Sequence, residues 1–231
     1  MEIQRVWAAY FSPTGTTEKI VTHIAEHLAK PIEHPVLYFD FTLPPARQEA
    51  KRFLKSDLVV FGVPVYAGRV PNVLLKYLIT LEGNGAQAVP VVLFGNRNYD
   101  EALKELRNLL ELRGFQTVAA GAFVGEHAFS YTLGKGRPDY ADLSVASEFA
   151  RRIFAVLRTG QVISPVRLDN EGPLGGYYQP RDQDGNPIDI RKVRPKTRDT
   201  CTDCGYCAQI CPMGSIDPAD VRNFINICIK C

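Results

Sequence analysis

The sequence predicts an α/β protein, a doubly wound five-stranded parallel sheet, with a small cysteine-bearing segment behind it. Over residues 1–160 short apolar runs alternate with amphipathic stretches, the pattern of strands joined by crossover helices. The runs are apolar throughout rather than alternating, as strands buried on both faces are. All six cysteines lie between 201 and 231, so the end of the chain is built on a different plan.

Val6 to Phe11 is the first strand, and Thr16 to Leu28 then repeats at helical spacing through Ile20, Val21, Ile24, Ala25 and Leu28. Val36 to Phe41 reads as the second strand and Pro45 to Leu54 as a short helix. Leu58 to Val63 is the third strand, followed by a helix carrying Val73, Leu74, Tyr77, Leu78 and Leu81. After a fourth strand, Val89 to Phe94, Asp100 is placed to cap a helix lined by Leu103, Leu106 and Leu110 and ended by Gly114. Thr117 to Val124 is the fifth strand, and Ala146 to Leu157 a last helix with Phe149, Ile153 and Phe154 inward. Residues 161–198 break the rhythm, with Pro165, Pro173, Pro180, Pro187, Pro195 and a Gly175–Gly176 pair. They read as a connector draped over the first domain, with Tyr177, Tyr178, Ile188 and Ile190 able to pack. The basic residues at its end (Arg191, Lys192, Arg194, Lys196 and Arg198) form a solvated face or a dock for an acidic partner.

A formal net charge of +2 with 23% charged residues gives no basic face of the kind a nucleic-acid binder needs. The start, Met1 to Trp7, lacks a basic stretch leading into a long apolar one, and no apolar run reaches bilayer length. A soluble protein in the reducing cytoplasm is expected.

Chemistry in the first domain begins where strand one ends. Ser12-Pro13-Thr14-Gly15-Thr16-Thr17-Glu18 is a hydroxyl-rich turn opening directly into a helix. Amides at a helix N-terminus point outward and the helix dipole favours an anion there. Gly15 would let the backbone approach that anion closely. The turn lacks the lysine of a nucleotide P-loop and the Gly-x-Gly-x-x-Gly of dinucleotide folds. What remains is a phosphate monoester held by neutral donors, or else simple helix capping, for which one of the four hydroxyls would suffice.

The cysteines read Cys201-x-x-Cys204-x-x-Cys207-x-x-x-Cys211-Pro212, with Cys228-x-x-Cys231 following. The first run is the bacterial iron–sulfur spacing, in which three thiolates wrap one [4Fe–4S] cube and the fourth ligates a second cube. Cluster one would take Cys201, Cys204 and Cys207, and cluster two Cys211, Cys228 and Cys231. Each set lacks one ligand, so a truncated chain or a trimmed tail is expected; an end at Cys231 would allow at most one complete four-thiolate site. Zinc on the two Cys-x-x-Cys pairs leaves Cys207 and Cys211 unexplained. Disulfides fit poorly in a chain with no cysteine before residue 201.

The phosphate turn resembles that of flavodoxins, which holds the 5′-phosphate of FMN. With the cysteine run behind it, the whole resembles the flavodoxin–ferredoxin fusion family. That resemblance covers residues 1–160 and 199–231, and it implies a flavodoxin-like FMN domain followed by a two-cluster ferredoxin segment. It implies flavin contacts from Ser12, Thr14, Gly15, Thr16 and Thr17, and from the loops Pro64-Val65-Tyr66-Ala67-Gly68-Arg69-Val70-Pro71 and Gly95-Asn96-Arg97-Asn98-Tyr99. Those loops follow strands three and four and would converge at the sheet's switch point. Tyr66, then Tyr99, is the candidate for stacking on the isoalloxazine, though either could be a surface tyrosine. Gly68 and Gly95 would let amides reach the flavin edge, Asn96 would bond the pyrimidine, and Arg97 would sit near N1. Glu126 and His127 would border the site. The implied role is electron transfer between FMN and 4Fe-4S clusters, with redox proteins or small donors and acceptors as partners. No nucleophile or paired-carboxylate arrangement argues for acid–base or covalent catalysis, so a carrier is expected rather than a substrate-turning enzyme. The alternatives are an FMN-dependent reductase of a small acceptor such as a quinone, and a zinc-binding interaction module.

Overall fold

A computed structural model of the protein describes residues 3–130, 132–160, 164–189 and 194–231. The strands are β1 (Arg5–Tyr10), β2 (Val36–Asp40), β3 (Asp57–Pro64), β4 (Gln87–Phe94), β5 (Gln116–Thr117) and β6 (Gly121–Val124). The helices are α1 (Thr16–Ala29), α2 (Leu75–Leu78), α3 (Ala102–Leu112), α4 (Tyr140–Thr159) and α5 (Tyr206–Gln209). All strand pairs are parallel, in the order β2-β1-β3-β4-β5, with β6 also on β4. That is the flavodoxin-like order of doubly wound sheets, whose switch point lies between β1 and β3.

The two faces of the sheet are covered by separate cores. Val59, Phe61 and Val63 of β3 point with Phe41, Phe53, Leu74, Leu78, Leu106 and Leu110 to one side. Leu58 and Val60 point with Ile20, Val21, Ile24, Ala146, Ala150 and Ile153 to the other. A central strand buried on both faces has no polar side to alternate with, hence its unbroken apolar run.

Four expectations are corrected. The fifth strand forms as two pieces, and the pairing offset to β4 grows by one residue between Thr117↔Ala88 and Gly121↔Val91. The extra residue is a bulge on the edge strand, where bulges are least costly. Residues 45–54 are not a helix: a single 3₁₀ turn spans Pro44–Arg47, after which Lys51 and Phe53 exchange backbone hydrogen bonds with Glu82. Extension lets Phe53 bury fully between Trp7 and Phe115, with ring centroids 5.6 and 5.4 Å away. The helix after β3 shrinks to a 3₁₀ turn at Asn72–Leu74 and the four residues of α2. Asp100 does not cap α3; Glu101 is the N-cap residue and makes no side-chain cap. Asp100 instead has φ +40 and pairs with Arg97.

The last helix starts earlier than expected, at Tyr140, because Asp139 and Asp142 form a reciprocal capping box. It packs along α1, where the Nε2 atoms of His23 and His27 both face Ser147 Oγ, at 2.8 and 3.2 Å. Burial, then the neighbouring His27, holds His23 below its ordinary pKa, so the folded state favours its neutral form. This stabilisation is present above about pH 6.5 and is lost as pH falls through the depressed value. The urea midpoint should therefore fall on acidification below that point, and His23→Gln should flatten the decline; an equally steep decline in the variant would refute it.

The connector is tied down from Val166 to Tyr178. Val166 donates its N–H to Thr117 O at 3.0 Å, and buried Arg107 grips Glu171 through two hydrogen bonds of 2.7 and 2.6 Å. That pairing, with the Leu168 amide, pulls Glu171 down to about 2. Lys104, also buried, donates to Gly172 O at 2.9 Å. Ile188 stays exposed, whereas Ile190, Arg191 and Lys192 lie outside the described residues. Among the described residues no helix is long and apolar enough to cross a membrane.

Candidate functional site

The switch point places the Ser12–Thr17 turn at the C-terminal end of the sheet. Phe11 donates to Gly62 O at 3.1 Å, and the Ser12 amide donates to Thr42 Oγ1 at 2.8 Å, so β3 and the loop after β2 fix the turn. Gly15 is the N-cap of α1 with φ +78, a left-handed conformation that a side chain would strain. Ser12 Oγ accepts the Glu18 N–H at 2.9 Å, and Gly15 O accepts the Lys19 N–H at 3.1 Å. The Lys19 bond is the first of the helix ladder; of the four amides a helix start leaves open, Glu18 is satisfied by Ser12 Oγ and Gly15 by Ser12 O at 3.2 Å. The amides of Thr16 and Thr17 remain at the free end, aimed along the helix axis.

The four hydroxyls divide their work. Ser12 is buried and acts as the cap, though its proton remains available to donate. Thr17 is buried, and a Cβ on Gly62 would stand 2.2 Å from a Val21 methyl and 3.0 Å from the Thr17 methyl, which explains why β3 carries glycine there. Thr14 is exposed and Thr16 half-buried, their hydroxyls 3.5 Å apart. They face a cleft of about 530 Å³ shared with Lys19, His127, Ser130 and Arg137.

The loop after β3 is a tight reversal in which Tyr66 and Arg69 exchange backbone hydrogen bonds of 2.9 and 3.1 Å. Ala67 and Gly68 sit at φ +50 and +77, the positive pair of a type I′ turn. Val65 donates to Leu93 O at 2.8 Å, and Pro64 closes β3 opposite Leu93. Arg69 reaches down to Glu105 on α3 with two hydrogen bonds, 2.8 and 2.7 Å, and Glu105 also accepts the Val70 N–H at 2.8 Å. Tyr66 is half-buried, and burial followed by the adjacent Cys231 pushes its phenol pKa up.

The loop after β4 turns at Asn96, φ +60, with Asn96 exposed. Gly95 lies flat on His127: an added Cβ would stand 2.5 Å from the ring, so this glycine is required by close approach. His127 Nδ1 accepts the Phe129 N–H at 3.0 Å, which puts the proton of the neutral ring on Nε2. Tyr99 is exposed and packs against Phe94, centroids 5.5 Å apart. Arg97 is held by Asp100 and lies over the Tyr178 ring at 4.7 Å, while the Tyr178 N–H donates to Ala67 O at 2.8 Å. The connector thus bridges the two loops, and Arg97 is committed to it.

The cysteine segment packs at the same end of the sheet. Gly205, φ +74, starts the four-residue α5 between Cys204 and Cys207's turn. The Ser215 N–H donates to Cys211 Sγ at 3.2 Å, and the Ser215 hydroxyl donates to Ile227 O. Ile216 and Phe224 form an antiparallel bridge that returns the chain towards Cys211. Burial, then the charges of Cys211 and Cys228, push the Cys231 thiol up. Cys201, by contrast, lies with Asp203, itself paired to Arg222. All six cysteines are free thiols. Among the described residues no three His, Cys, Asp or Glu side chains converge as on a single ion. Free thiols in this spacing, a left-handed glycine in the wrap and an amide aimed at a sulfur fit an iron–sulfur donor set.

Sequence reasoning missed Lys19, Ser130 and Arg137 in the cleft, and Thr42, Arg47 and Glu105 behind it. Lys19 had a legible signal, lying one helical turn after Gly15; the others come from distant elements.

The fold and these loops define a flavodoxin-like domain with a 4Fe-4S segment attached. Residues 195–217 match the 4Fe-4S binding domain family. No curated protein matches the chain. Similar solved structures include oxidised Flavodoxin 2 from Bacillus cereus, at 18% identity over 65% of this chain and 97% of that one, TM-score 0.49. A flavodoxin of Streptococcus pneumoniae TIGR4 has 18% identity over 65% and 97%, TM-score 0.46. Rubredoxin oxygen:oxidoreductase from Desulfovibrio gigas has 19% identity over 68% of this chain and 37% of its own, TM-score 0.48. The fold assignment itself rests on the strand order and the switch point. Together with the 4Fe-4S match it supports an electron-transfer role.

Proposed function

We propose that the chain binds FMN at the switch point and passes electrons between it and 4Fe-4S clusters. The observation that carries this reading is the placement of the cysteine segment at the sheet end that also bears the Ser12–Thr17 turn, with Arg47 donating to Pro212 O at 2.5 Å and Ile229 packed on the core that contains Phe11 and Phe41. The Thr16 and Thr17 amides, with the Thr14, Thr16 and Ser12 hydroxyls, would hold the phosphate, and Lys19 would add positive field, Arg137 being paired with Asp142. Ala67, Gly68, Gly95 and Asn96 would line the flavin edge, with Tyr66 or Tyr99 on its face. Arg97, drawn away to Asp100 and Tyr178, is the weakest of the flavin contacts. Cys201, Cys204 and Cys207 would hold one cluster; Cys211, Cys228 and Cys231 would contribute to the other. Bound FMN supplies two-electron exchange and each cluster single-electron exchange, so the chain would step between the two kinds of partner.

An anaerobic absorption spectrum with FMN, iron and sulfide quantified tests this reading. Flavin bands over broad iron–sulfur absorption, with one flavin per chain, are expected. Zinc without either chromophore would sink it.

A further inference from the structure

We infer that Arg47 clamps the cysteine segment onto the flavin domain, so that the Cys211–Cys228–Cys231 cluster faces the flavin and the Cys201–Cys204–Cys207 cluster faces outward. This rests on the proposed function for the identity of the redox groups; the clamp itself rests on contacts.

Arg47 stands at the end of the 3₁₀ turn after β2. One guanidinium nitrogen donates to Phe41 O and Thr42 O, each at 2.6 Å, and the other donates to Pro212 O at 2.5 Å. Its guanidinium lies over the Phe11 ring at 5.5 Å, and burial depresses its pKa. Phe41 and Thr42 follow β2 beside the Ser12–Thr17 turn, and Thr42 holds the Ser12 amide. Pro212 follows Cys211 directly. A planar fork reaches carbonyls of two segments from two separate nitrogens; a lysine would have to gather all three carbonyls around its single nitrogen.

A second contact lies at the other end of the same cysteine set. Ile229, between Cys228 and Cys231, packs against the core cluster that contains Phe11, Phe41 and Val63. Gly214, two residues past Pro212, comes close to Pro44. Every cysteine of the second set is thus within two residues of a contact with the first domain. Around the first set the recorded partners are local or within the segment: Arg198 O for the Cys201 amide, and Asp203 with Arg222. Beside that set Tyr206 and Ile210 are exposed. Electrons would therefore pass singly from reduced flavin to the inner cluster, on to the outer one, and out to a partner, each donor being oxidised as its acceptor is reduced.

The test compares Arg47→Lys and Arg47→Met with the unaltered full chain by hydrogen–deuterium exchange, whether or not cofactors are loaded. Faster exchange at Gly214–Ile216 and at Phe41–Thr42 is expected in both variants; unchanged exchange would overturn the clamp. In loaded protein the transfer from photoreduced flavin to clusters should slow on the order of tenfold with flavin and iron content retained, since misplacing reactants by about an ångström has effects of this size or more. Cys204→Ala and Cys228→Ala decide the order of the clusters even if the Arg47 variants fold poorly. Loss of fast transfer in Cys228→Ala alone supports the order, and loss in Cys204→Ala alone reverses it. Absence of flavin or iron from the unaltered protein would instead count against the proposed function, leaving the exchange result to judge the clamp.

Discussion

Glu105→Leu should destabilise the protein by roughly 3–5 kcal/mol, the cost of stripping one partner from a buried ion pair. Glu105 is 5% exposed and its partner Arg69 has a side chain 12% exposed, so water cannot take over. The substitution leaves a buried guanidinium unpaired and orphans the Val70 N–H, which Glu105 accepts at 2.8 Å. An arginine's intrinsic pKa lies above about 12, so the guanidinium cannot escape by losing its proton once Glu105 is gone. Urea unfolding at neutral pH would report the loss as a lower midpoint with an unchanged slope. The double variant Arg69→Met/Glu105→Leu should recover much of it, because no buried charge remains. A single-variant loss below about 1 kcal/mol would mean the pair is hydrated and worth no more than a surface bridge. Since the pair is what ties residues 66–70 to α3, flavin retention should fall in the single variant as well.

Thr16→Asp should move stability and cofactor binding in opposite directions. Thr16 is the first residue of α1, where a carboxylate meets the positive end of the helix dipole and typically adds about 0.3–1 kcal/mol. The same carboxylate would stand where the FMN phosphate is proposed to sit, facing the cleft with Thr14 and Lys19. The thermal midpoint of the apoprotein should hold or rise, while flavin should be lost on desalting. Stoichiometric flavin in the variant would remove the phosphate from this turn. A general defect in folding lowers both quantities, so the opposed signs separate site from scaffold.

The sequence made β1 to β4, α1 and α3 legible because each carries a local signal: an unbroken apolar run, or leucines at helical spacing. The turn opening α1 was legible for the same reason, its glycine and hydroxyls being contiguous. Which hydroxyl does what was not. Ser12 became a cap and Thr17 a core residue because Glu18 and Gly62 stand where they do, and no local pattern encodes that. Residues 45–54 read as helix because propensity is local, yet burying Phe53 between Trp7 and Phe115 outweighed it. Asp100 had the type and position of a cap but was drawn to Arg97, which itself leans on Tyr178 from a segment eighty residues on.

By itself, then, the sequence determined the layered α/β fold, the hydroxyl-rich turn that opens α1 and the cysteine spacing of the 4Fe-4S match, since periodicity and covalent spacing act over a few residues. Only the tertiary structure decided the bulge in the edge strand, the grip of Lys104 and Arg107 on the connector, and the reach of Arg47 to Pro212. Those depend on partners scores of residues apart, and a buried charge takes whatever carbonyl or carboxylate the folded chain brings to it.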